Sequence, residues 1–191
     1  LGRRIGEETR EMKVPFLDLS LQHKALREPA LAALAATYDA TRFCLGKDVE
    51  DFEKNFASTL GYPRALALNS GTSPLHIACM MAGFGPGDEV IVPTNTFIAT
   101  WLAVTAVGAT IVPVEPDPQT HNIDPDQIAA SITPRTRCVM PVHLYGQPAD
   151  MDPIMAIAKQ HNLRVIEDCA HSLGAMYKGQ MVGTHGDSSF F

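Results

Sequence analysis

From residue 64 onward the chain alternates short β-rich runs with segments long enough for a helix, and this rhythm constrains the fold more than any other feature. The runs are Arg64–Leu68, Glu89–Val92, Thr110–Val114, Cys138–Val142 and Leu163–Glu167, with a further one beginning at Ser188. Strands separated by helix-length connections are not hairpins; they call for a parallel sheet with right-handed crossovers. The expected class is therefore α/β, a mostly parallel sheet sandwiched by helices. Helix starts are marked chemically. Pro74 follows Ser73, Pro125 follows Asp124 and Pro153 follows Asp152, each placing proline in a first turn, where its missing N–H is no loss. Gly83-Phe84-Gly85-Pro86-Gly87-Asp88 has a superficial likeness to a dinucleotide loop. It lies after a helix and before a strand, the wrong order for phosphate binding, and reads as a helix stop with a tight turn.

Residues 14–60 read as a helical preamble. An Ala/Leu-rich helix is expected from Gln22 to about Asp39, and Val49, Phe52, Phe56 and Leu60 follow helical spacing in a second. Pro29 belongs in an early turn of the first helix or breaks it. Residues 1–13 read as a tail or tag remnant, since Leu1-Gly2-Arg3-Arg4-Ile5 has neither an initiator Met nor the apolar core of a signal peptide. With 46% hydrophobic and 19% charged residues, and no apolar run approaching the roughly 20 residues of a membrane span, a cytoplasmic protein that does not enter the membrane is expected. The net charge of −6 argues against nucleic acid, whose backbone needs a basic patch. Cys44, Cys79, Cys138 and Cys169 form no C-x-x-C pair. Reduced, buried thiols are expected, with no metal site and no disulfide framework.

In an open parallel sheet, ligands collect beyond the carboxyl ends of the strands, and four such places carry unusual chemistry. Asn69-Ser70-Gly71-Thr72-Ser73-Pro74 opens into a helix, so free N–H groups, a positive helix end and hydroxyls offer a phosphate cradle, or else an ordinary capped start. Pro93-Thr94-Asn95-Thr96-Phe97 puts an aromatic ring at the sheet mouth; Phe97 either stacks on a flat ligand or joins the core, while Ile98 and Trp101 belong to a helix packing face. Asp168 leaves the end of a buried strand and needs a partner. A protonated pyridine nitrogen, a structural ion pair or a helix end would each serve. His171 could reach a ring substituent, although a satisfied interior histidine is the reading its residues alone favour. Ser188 and Ser189 carry hydroxyls that could meet a phosphate.

These segments, with Val14-Pro15-Phe16-Leu17-Asp18-Leu19, His143-Leu144-Tyr145-Gly146-Gln147-Pro148-Ala149-Asp150-Met151 and Glu167-Asp168-Cys169-Ala170-His171-Ser172-Leu173-Gly174-Ala175, resemble the DegT/DnrJ/EryC1/StrS sugar aminotransferases. These are fold-type I enzymes dependent on pyridoxal 5'-phosphate. The resemblance implies the large, cofactor-binding domain over residues 61–191, incomplete and cut before the small domain. It implies that Gly71, Thr72 and Ser73 hold the cofactor phosphate and Ser189 adds a contact. Phe97 would stack on the pyridine, Asp168 pair with its nitrogen and His171 lie toward its 3-oxygen. It assigns His143–Gln147 to architecture first.

The Schiff-base lysine, the catalytic residue of the family, would lie about three residues beyond Phe191, so the chain is expected to be part of a longer polypeptide. The implied activity is amination of a nucleotide-linked keto-sugar with glutamate as donor, by a homodimer whose sites are completed across the interface. Two alternatives remain: a sugar dehydratase with histidine in place of the lysine, or a non-catalytic regulatory protein that binds the cofactor.

Overall fold

The computed structural model describes residues 14–191, so the expected tail or tag at 1–13 lies outside the described residues. The chain divides into two compact units, one up to Asp48 and one from Val49 to Phe191.

The first unit contains helix α1, Ser20–Asp39. Pro29 neither begins nor breaks it but sits in its interior. Proline there takes the helical partner from the carbonyl of Ala25, and because α1 has no buried residue, water can serve that carbonyl instead. The second unit starts within helix α2, Lys47–Leu60, and continues through α3 (Thr72–Met81), β1 (Glu89–Pro93), α4 (Ile98–Ala106), β2 (Thr110–Val114), α5 (Pro125–Ser131), β3 (Thr136–Val139), α6 (Met151–His161), β4 (Arg164–Asp168), a small β5–β6 hairpin at residues 176–181, and β7 (Ser188–Phe190).

Five strands form one sheet in the order β2-β1-β3-β4-β7, every pairing parallel. The chain steps outward from β1 to β2 and then returns to the other side of β1, so the strand order reverses between β1 and β3, where α/β sheets form a ligand crevice. Pro113 is tolerated inside β2 because β2 is an edge strand. Strand alternation divides the core in two. Val90, Val92, Cys138, Met140, Ile166 and Phe190 pack with Leu75 and Cys79 of α3 and Ala103 and Val104 of α4. Ile91, Val139 and Val165 pack on the other face with Ile128 of α5 and Met151, Ile154 and Ala158 of α6.

The glycine-rich turn is a helix stop in detail. Phe84 N–H donates to the Cys79 carbonyl and Gly83 N–H to that of Met80, with Gly83 at φ +74°, the paired bonds of a left-handed helix end. Asp124 caps α5 by accepting from the Asp126 N–H, with Pro125 first in the helix.

Two expectations need correction. Arg64–Leu68 joins no sheet among the described residues: Ala67 N–H donates to Glu53 Oε1 instead of to a strand, and Leu66 and Leu68 are exposed. β-propensity expresses packing against neighbours more than an intrinsic backbone preference. Cys44 is exposed, whereas Cys79, Cys138 and Cys169 are buried, and all four are free thiols. Burial pushes the Cys79 thiol up to about 11. Among the described residues no helix is long and apolar enough to cross a membrane.

Candidate active site

The carboxyl edge of the sheet gathers residues from the start of α3, the β1–α4 loop and the end of β4. α3 ends in the turn that feeds β1, so its N-terminal end lies at the opposite, carboxyl end of the sheet. There Gly71 is the N-cap, with no side-chain cap, and an added Cβ would meet nothing within 4 Å. Thr72 is exposed and Ser73 half-buried. Ser73 N–H donates to Ser70 Oγ at 3.2 Å, and the two hydroxyls are 2.9 Å apart. Ser70 takes one first-turn N–H, and the rest of this helix start, with open space in front of it, suits an anion.

Phe97 follows β1 as the N-cap of α4 and is 70% exposed, so it is not a core residue. Trp101 packs against the core and donates its indole N–H to the Pro93 carbonyl at 3.1 Å. Ile98, expected beside it, is 52% exposed, because the helix turns that position away from the sheet.

Asp168 ends β4 and is 5% exposed. Its Oδ2 accepts from Thr100 Oγ1 at 3.1 Å and its Oδ1 from the Ala170 N–H at 3.1 Å. The Thr100 hydroxyl, having given its proton to Asp168, accepts from Thr96 Oγ1 at 3.0 Å. No cationic side chain pairs with this carboxylate among the described residues. A nearly buried carboxylate with only neutral donors and spare acceptor capacity fits a protonated ring nitrogen.

His171, read from its residues as interior, is exposed. The turn after β4 carries it past the buried edge, and its ring lies 6.1 Å from that of Tyr145, tilted by 30°. Ser189 is not brought to the face that carries Asp168. In the β4–β7 register it stands opposite Glu167, while Phe190 stands opposite Asp168 and enters the α3–α4 core. An added Cβ at Gly183 would lie 2.8 Å from Ser189 Oγ, which puts that hydroxyl beside the loop that clasps Glu167.

That clasp escapes the sequence reading. Glu167 is fully buried and accepts four hydrogen bonds: from the N–H groups of Gly183 (2.8 Å), His185 (2.8 Å) and Gly186 (2.6 Å), and from His143 Nε2 (3.1 Å). His143 Nδ1 accepts from the Ala149 N–H at 2.9 Å, so its proton lies on Nε2 and the imidazole is neutral. Burial pushes the Glu167 carboxyl up, but the bonds from His143, Gly186 and Gly183 outweigh it and hold it below the usual carboxylate range. His143, Glu167 and Cys169 bring ligand-type atoms within 4.8 Å of one another. Both imidazole nitrogens and both carboxylate oxygens are already engaged, and burial pushes the Cys169 thiol far up, so this donor set suits a structural network better than a metal.

Asn122 escapes it as well. It is buried, donates to the carbonyls of Gln147 and Pro148 at 3.0 and 3.1 Å, and accepts from the Leu144 N–H at 3.1 Å. For Glu167 the signal available was polarity after an apolar run, which gives burial without naming the partner; Asn122, between His121 and Ile123, carried no such signal.

The chain is similar to proteins of known fold. Similarity to the dTDP-3-amino-3,4,6-trideoxy-alpha-D-glucose transaminase of Streptomyces venezuelae reaches 48% identity, over 90% of this chain and 45% of that protein. The crystal structure of S. venezuelae DesV superposes with a TM-score of 0.85 at 48% identity, over 90% of this chain and 46% of that one. That of NtdA from Bacillus subtilis with bound cofactor PMP gives 0.84 at 36% identity, over 96% and 42%. The chain thus spans a little under half the length of the relatives it matches. With its characteristic sequence pattern matched over residues 24–191, the chain belongs to the DegT/DnrJ/EryC1/StrS aminotransferase family.

Proposed function

We propose that this chain is the cofactor-binding large-domain part of a pyridoxal 5'-phosphate-dependent aminotransferase that aminates a nucleotide-linked keto-sugar. The observation that carries the reading is Asp168: a buried carboxylate with neutral donors only, on the sheet edge that also bears Phe97 and the start of α3. In this reading the N–H groups of Gly71 and Thr72 and the Ser73 hydroxyl bind the cofactor phosphate, with the helix end supplying partial positive charge. Phe97 covers one face of the ring and keeps water from it. Asp168 holds a proton on the ring nitrogen, and Thr100 orients the carboxylate for that task. Bound in this way, the cofactor supplies an electron sink for the carbon that loses or gains a proton. His171 lies toward the 3-oxygen side of the ring.

Residues 61–191 are read as the cofactor domain and 14–60 as its helical preamble. The protein is read as a homodimer in the cytoplasm, a setting consistent with three buried, unpaired thiols. Its net charge of −6 supports small-molecule partners over nucleic acid. Glutamate is the proposed amino donor. The test is turnover by the full-length protein: loaded with pyridoxal phosphate and given glutamate and a nucleotide-linked keto-sugar, it should release 2-oxoglutarate. A bound cofactor with normal absorption and no release would shift the reading to a regulatory or dehydrating relative.

A further inference from the structure

Tyr145 holds a conformation that a bulky residue seldom adopts. Within the single turn Leu144–Gly146 its backbone lies at φ 57°, ψ 21°, the left-handed region, which crowds the Cβ of an L-residue. Such strain persists only where the surroundings over-determine it. Here the surroundings are explicit. Asn122 grips both ends of the turn, Gln147 N–H donates to the Leu144 carbonyl at 3.0 Å, and His143 is tied to Ala149 and to Glu167. An added Cβ at the next residue, Gly146, would come within 3.5 Å of the His171 carbonyl, so the turn abuts the His171 segment. All this buried bonding delivers a side chain that is 78% exposed.

The turn lies where β3 leaves the sheet, beside β4: His143 N–H donates to the Asp168 carbonyl at 3.0 Å. Among the described residues the Tyr145 hydroxyl makes no hydrogen bond and neither does the His171 imidazole. The contact between them is ring to ring, at a separation typical of aromatic pairs. We propose that Tyr145 is a positioning residue, its ring backing the His171 imidazole and aiming it at the cofactor. This rests on the aminotransferase reading above, and it accounts for a strained, braced and outward-facing aromatic at this edge.

The test uses the full-length protein with Tyr145→Asn, Tyr145→Phe, His171→Ala and the double variant Tyr145→Asn/His171→Ala. Asparagine accepts the left-handed backbone, so Tyr145→Asn should keep or raise the thermal midpoint. In cofactor-free protein, acylation of His171 by diethyl pyrocarbonate should be about two- to twelve-fold faster in Tyr145→Asn, the range set by the worth of an aromatic pair. In cofactor-loaded protein, the pH midpoint of the visible absorption band should move in the same direction in Tyr145→Asn and His171→Ala, and no further in the double variant. Tyr145→Phe, which keeps the ring, should match the parent in both readouts.

Unchanged acylation in Tyr145→Asn, band shifts that sum in the double variant, or a phenylalanine variant as altered as the asparagine one would each overturn the proposal. A lowered thermal midpoint in Tyr145→Asn with acylation unchanged would do so too, leaving only a structural role. Should the parent protein bind no pyridoxal phosphate, the aminotransferase reading fails. The acylation rates then still decide whether Tyr145 holds His171.

Discussion

Glu167 and Asp168 are neighbours on β4, both buried, and they live in opposite electrostatic economies. Glu167 faces the α5–α6 side, where three backbone N–H groups and a neutral imidazole fill both of its oxygens. Asp168 faces the α3–α4 side with one hydroxyl and one backbone N–H, and has capacity left over. A carboxylate saturated by its own chain holds structure together. One left partly satisfied at a sheet edge, at the cost that burial imposes on it, is suited to a ligand. Adjacent residues of the same chemical type are thus separated into a structural and a ligand-facing role by strand alternation alone.

The comparison is broken most directly at Asp168. Asp168→Asn in the full-length protein should retain the thermal midpoint and lower transamination by about 10²–10³ or more, the scale of losing a preorganised electrostatic partner; unchanged turnover would remove Asp168 from the site. Glu167→Gln should show the opposite balance. It leaves one acceptor oxygen and an NH₂ among groups that need acceptors, so unfolding in urea should reveal a loss of about 2–4 kcal/mol, with faster amide exchange at Gly183, His185 and Gly186. A variant as stable as the parent would show that the clasp contributes nothing.

The third prediction concerns acid. The Glu167 carboxyl is held below its unfolded value of about 4.3, so the stability it contributes is complete above that value and is lost as pH falls through the lowered folded one. Glu89, held down by Thr133 and Arg135, adds to the same limb. Urea midpoints measured between pH 6 and pH 3 should fall less steeply for Glu167→Gln than for the parent. Parallel curves would contradict the assignment. The smallest effect is expected from Thr100→Val, which preserves shape and removes one donor from Asp168. Cofactor affinity should weaken about five-fold, near the worth of one hydrogen bond, with stability little changed. A variant that binds as tightly as the parent would show that Asp168 does not depend on Thr100.

Periodicity and punctuation made the sheet legible. Thr110–Val114 is β2 residue for residue, β1 runs one residue past its expected end, and β4 is shifted by one residue at both ends. β3 begins at Thr136, two residues early, where the Thr133–Thr136 turn releases the chain, and it ends before Pro141, which has no N–H for the ladder. Arg64–Leu68 meets no partner strand among the described residues, and β-propensity is realised only beside one. At the sheet edge, the loop positions of Gly71, Phe97, Asp168 and His171 were visible as small, aromatic or charged residues after apolar runs. Whether Phe97 or His171 faced inward was not, since exposure depends on which crossover ends beside which. The partners were hidden altogether. Thr100 meets Asp168 across 68 residues, and nothing local to either residue encodes that meeting.

Those separations also set an order of assembly. A chain emerges from the ribosome N-terminus first. When Asp168 appears, Thr100 and the α4 helix that carries it have already been synthesised. Glu167, one residue earlier, still lacks Gly183, His185 and Gly186, which follow it by 16, 18 and 19 residues. The ligand-facing carboxylate can find its internal partner at once, whereas the structural one stays short of three of its four donors until the last described strand is about to form. Of the two, the residue that looks permanently satisfied in the folded molecule is the one whose own-chain partners arrive last.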